Sequence, residues 1–135
     1  MWRRRKRPLP PYEWRDFDGR DRTAVEAALA LVGSECTSLT VNMCWHGGAG
    51  HDYPAESMEA ARRLRERHAP DGTYDDNYTS LTFVPSSEDL ADFLFVAPHS
   101  DLAYAVDADG AVVLEVSGDG ASGSVRSRLE KGDGL

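Results

Sequence analysis

The densest chemistry in the chain lies between positions 44 and 52, where Cys44-Trp45-His46-Gly47-Gly48-Ala49-Gly50-His51-Asp52 places one thiol and two imidazoles within nine residues. Thiolate and imidazole are the donors that suit zinc. Cys44 and His46 are two apart, so on a strand both side chains emerge on the same face. His51 and His99 would supply the third and fourth donors. No pair among them has the CxxC or HxxxH spacing that marks such sites. The expectation is therefore no metal and no cofactor. A small enzyme, or a metal- or ligand-binding domain centred on Cys44, His46, His51 and His99, stands as the alternative.

His46 to Gly50, in the order His-Gly-Gly-Ala-Gly, is similar to the oxyanion loop of lipases and esterases, which aims backbone amides at a developing negative charge. The Gly-x-Ser-x-Gly nucleophile turn of those enzymes is missing from the chain. A phosphate-cradling reading of the same glycines lacks the Lys and the Ser or Thr of the Walker pattern. Asp107-Ala108-Asp109-Gly110 has the look of a calcium loop. With Gly110 at its sixth position, however, Ala105 and Val116 fall where the first and twelfth ligands should be. A hairpin turn is the better reading.

Charge carries more information than any motif. The net charge of −8 comes from 15 Lys plus Arg against 23 Asp plus Glu. Five of the cations are packed into Arg3 to Arg7, and none occurs from His68 to Val125. That stretch holds Asp71, Asp75, Asp76, Glu88, Asp89, Asp92, Asp101, Asp107, Asp109, Glu115 and Asp119. A surface of one sign repels nucleic acid and accelerates encounter with cationic partners by about 10 to 10³-fold. The leading expectation is a non-catalytic cytoplasmic protein that docks on a basic protein partner and inhibits it. The likeness to toxin-neutralising immunity proteins is one of charge alone. The expected contacts are Asp75, Asp76, Glu88, Asp89, Asp92 and Asp101, with Trp45 and Tyr74 as aromatic anchors. The basic start has three readings: a solvated tail, a contact for anionic lipid or RNA, or an arm folded back on the acidic body.

The elements that would position these groups follow from periodicity. With 135 residues, 41% of them apolar, the chain has the size and composition of one folded domain. Its longest apolar run, Ala27 to Val32, is too short to span a membrane. Thr23 with Glu26 predicts a capped helix whose Val25, Ala28, Leu29 and Val32 face inward. Leu39 to Trp45 alternates as a strand, and a second helix covers about Ala55 to His68. Four strands are expected next: Tyr78 to Val84, Phe93 to Ala97, Leu102 to Val106 and Ala111 to Val116. Residues 1–20 read as a basic, Pro-rich arm, 21–117 as the domain, and 118–135 as a Gly/Ser-rich linker with a short tail. The fold class is α+β, one domain with a mixed sheet of about five strands and two main helices in the order α-β-α-β-β-β-β. The β-α-β portion implies a parallel crossover. In the last hairpin, Leu102, Tyr104, Val106, Val112, Leu114 and Val116 are assigned to one face. The small opposite face of Ala103, Ala105 and Val113 offers a third functional reading, an assembly subunit that homodimerises there.

Overall fold

The computed structural model describes residues 12–44, 53–68 and 78–128. Strands β1 (Tyr12–Phe17), β2 (Ser38–Cys44), β3 (Tyr78–Phe83), β4 (Leu102–Val106), β5 (Val112–Ser117) and β6 (Ser122–Arg128) form one sheet in the order β1-β6-β5-β4-β2-β3. Helices α1 (Arg22–Val32), α2 (Ala55–His68) and α3 (Ser87–Val96) complete it, with a short 3-10 turn at Ala97–His99. The protein is a single α+β domain, as the order of helical and strand patterns implied.

Every strand pairing is antiparallel. The crossover read between β2 and the next strand is absent. β2 and β3 are direct neighbours, with Leu39 opposite Phe83 and Val41 opposite Leu81, and α2 lies in the connection between them. The register explains where the helices sit. Leu39, Val41, Leu81, Phe83, Ala103, Ala105, Leu114, Val116 and Val125 are cross-strand neighbours on one face and belong to the same core as Val25, Val32, Leu64, Phe93 and Val96 of the helices. One face of the sheet therefore carries the helical layer.

Three local expectations need correction. Phe93 to Ala97 is helical, not a strand. Ser86 accepts from the Asp89 amide while the Asp89 carboxylate accepts from the Ser86 amide, a capping box that starts α3. The continuous apolar run arises because Phe93 and Val96 are buried in the core while Leu94 and Phe95 pack partly against it. The last hairpin is also re-registered. Ala103 pairs with Val116 and Ala105 with Leu114, followed by a shift at Ala105/Val106. A bulge of this kind exchanges the faces of the residues beyond it. Ala103 and Ala105, ahead of the bulge, share the core face of Val116 and Leu114, and they and Val113 at the bulge are fully buried. That face is not available for dimerisation.

The third correction concerns both ends. Tyr12–Phe17 is an edge strand rather than part of an arm, and Ser122–Arg128 is a strand between β1 and β5 rather than a linker or helical turn. Gly123 makes this possible, since a Cβ there would meet the Phe17 ring at 2.6 Å. The β5–β6 turn carries Gly118, Asp119 and Gly120 at φ of 61°, 56° and 87°. Glycine reaches that region without steric cost and aspartate tolerates it. No described helix is long and apolar enough to cross a membrane.

Candidate functional site

Helix α3 has two unlike flanks. Toward α2 it presents Asp89 and Asp92, which are 2% and 5% exposed. Such burial is costly for a carboxylate unless cations and hydrogen bonds compensate. Here they do. Asp89 Oδ1 accepts from Arg67 Nε at 2.8 Å and lies 2.9 Å from His68 Nε2. Asp92 accepts from Arg63 at 2.8 Å and from Arg67 at 2.7 Å. Arg63 and Arg67 lie one helical turn apart on α2, which is why one flank can serve both acids. The His68 ring also stacks on Phe83 at 4.5 Å. Burial alone would raise the Asp89 pKa. The Ser86 amide, His68, Arg67 and the Ser86 hydroxyl overcome it and bring the value from 3.8 to about 2. Asp89 and Asp92 are therefore internal fasteners, and they do not belong to an outward-facing acidic set.

Toward α1 the same helix leaves a groove of about 450 Å³, lined by Leu29, Ala30, Gly33 and Cys36 on one side and by Pro85, Leu90, Ala91 and Leu94 on the other. Among the described residues, Glu26 is the one charged group on its wall. The helices touch where the Arg22 guanidinium lies over the Phe95 ring at 4.3 Å. Along the remainder, small residues on α1 leave the space unfilled. Glu26, Ala30 and Gly33 follow an i, i+4, i+7 stripe beside the buried stripe of Val25, Ala28, Leu29 and Val32. Cys36 is a free, partly buried thiol. Burial raises its pKa, and the hydrogen bond to the Ser38 carbonyl at 3.6 Å opposes this. Chemically the groove suits an apolar group that carries a neighbouring cation.

The remaining residues expected at a partner interface divide by location. Glu88 is exposed on the first turn of α3. Asp101 is exposed at the start of β4, its amide bonded to the Asn42 carbonyl at 2.8 Å. Its own carbonyl accepts from Gly118, and Asp119 donates its amide to Ser100 at 2.9 Å. Asp101 and the exposed Asp119 thus occupy one end of the sheet, a neighbour that charge counting named without placing. Trp45, Tyr74, Asp75 and Asp76 lie outside the described residues, as do His46 and His51. Cys44 ends β2, opposite Tyr78. His99 is partly buried, with its ring centroid 5.9 Å from that of Tyr53. Burial lowers its pKa, while Asp119 acts in the opposite direction. Among the described residues no group of three or more His, Cys, Asp or Glu is arranged to hold a metal. Asp107 closes the β4–β5 hairpin, accepting from the amides of Asp109 and Ala111 at 2.9 and 3.0 Å. Comparisons of the chain with models of protein families, with curated proteins and with solved structures find no match.

Proposed function

We propose that the protein is a non-catalytic acidic binding protein that docks on a basic protein partner and inhibits it by covering its surface. One observation carries this reading: the described residues hold nine arginines against seventeen carboxylates, an excess equal to the net charge of the whole chain. Four of the nine arginines are, moreover, committed to pairs within the fold. Arg62 pairs with Glu59 and Glu66, Arg63 and Arg67 with Asp89 and Asp92, and Arg126 with Glu35 and Asp107. Glu88, Asp101, Asp109, Glu115 and Asp119 meanwhile stay at the surface. Charges so placed steer a cationic partner over a range set by the Debye length, about 8 Å at physiological salt. The apolar groove supplies what steering lacks, a desolvated seat for an anchoring side chain. A cytoplasmic setting belongs to the same proposal and fits the free Cys36 thiol.

The test is capture of the partner on the immobilised full chain, followed by association kinetics over a range of ionic strength. A basic partner whose association slows steeply with added salt supports the reading. A partner that associates at the same rate throughout contradicts it.

A further inference from the structure

Binding grooves between helices commonly accept an amphipathic helix, read by apolar anchors at i, i+3 or i+4, and i+7. The groove between α1 and α3 has matching dimensions. From Glu26 to Gly33 its α1 wall runs for about 10 Å, which is two turns of a bound helix and the span of i to i+7. Its surface is mainly apolar, with Leu29, Leu90 and Leu94 as the large contacts. The described residues that line it include no Lys, Arg or His, and their one ionic group is the exposed Glu26. Charge complementarity therefore selects among amphipathic helices, because a polar face rich in carboxylates would be repelled and one rich in cations attracted.

We propose that the α1–α3 groove receives a basic amphipathic helix of the partner, its apolar side chains resting on Leu29, Leu90 and Leu94 and a Lys or Arg meeting Glu26. This rests on the reading of the protein as an acidic binding module, and it names both the seat and the shape of what is bound. The helix would lie as a third member of the outer layer beside α1 and α3, and would cover Cys36 at the far end of the groove.

Cys36 then reports occupancy. In the full chain carrying Cys44→Ser, the rate of thiol labelling by a maleimide is measured with and without a synthetic helical Leu/Lys peptide whose leucines recur at i, i+3, i+4 and i+7. A Leu/Glu peptide of the same pattern is the control. The Leu/Lys peptide is expected to slow labelling by about tenfold when roughly nine-tenths of the protein is occupied. Leu94→Arg should abolish the protection, and Glu26→Lys, an exposed change that spares the core, should weaken it. Binding of the Leu/Lys peptide without protection of Cys36 overturns the groove as the seat and leaves the acidic-surface reading standing. Failure to bind at any salt concentration contradicts both. Equal protection by the Leu/Glu peptide overturns the charge selection. If Arg3→Glu, Arg4→Glu and Arg5→Glu together speed labelling without any peptide, the chain's own basic start occupies the groove, and the proposed occupant is wrong.

Discussion

The two flanks of α3 use opposite chemistry for the same problem of packing against a helix. On the α2 side, two buried carboxylates share Arg63, Arg67 and His68 between them, and the interface closes. On the α1 side there are no ion pairs among the residues that line the gap, and an apolar groove remains open. Charged groups locked in such a network have little left to offer a partner. Uncommitted apolar surface beside a single carboxylate has much more. In this protein the acidic residues most strongly buried are paired within the fold, and the flank proposed for binding is the one where charge is sparse.

The largest effect should come from breaking the closed flank. Asp89→Ala removes the capping-box acceptor, takes from His68 its carboxylate and leaves Arg67 with Asp92 alone, and breaking a buried pair costs about 3–5 kcal/mol. Urea denaturation of the variant measures it. A loss below about 1 kcal/mol would show that the network is not a fastener.

A somewhat smaller effect is expected from acid. The Asp89 pKa is depressed in the folded protein, from 3.8 to about 2, so its contribution is fully present above the unfolded value and is lost as pH falls from about 4 toward 2. That shift corresponds to about 2 kcal/mol. Stability measured through this window should decline in the wild type and decline less in Asp89→Asn, relative to its own value at neutral pH. Parallel curves would mean that other carboxylates dominate the acid limb.

The open flank should respond least in stability and most in binding. Ala30→Leu extends an exposed α1 residue into the groove, and the thermal midpoint should move by no more than the equivalent of about 0.5 kcal/mol. Affinity for the Leu/Lys helix should fall, as read by the Cys36 labelling rate. A large destabilisation would mean that the groove is already filled by part of the fold.

Legibility in the sequence followed the range of the interactions. The first two helices and four of the six strands could be read because their apolar spacing is local. α3 could not be read from its run Phe93 to Ala97, since a helix buried on several sides loses the periodicity that distinguishes it from a covered strand. Ser86 and Asp89 nevertheless held the correct signal three residues apart. β6 was hidden because Gly123 resembles linker composition, and only the Phe17 ring across the pair shows why a glycine stands there. For the site, charge density was visible, but burial was not. Nothing local distinguishes Asp89 and Asp92 from Glu88 and Asp101 until α2 delivers its arginines from more than twenty residues away. The groove is a product of how α1 and α3 approach, and no single segment encodes it.

Rapid mixing of the full chain with the Leu/Lys helix, followed from low to high ionic strength, measures the association rate on which steering depends. An acidic surface that steers a basic helix to an apolar seat predicts an association rate that falls by roughly tenfold or more as salt is added, with a much smaller change in dissociation. An association rate that stays level across the series would contradict it.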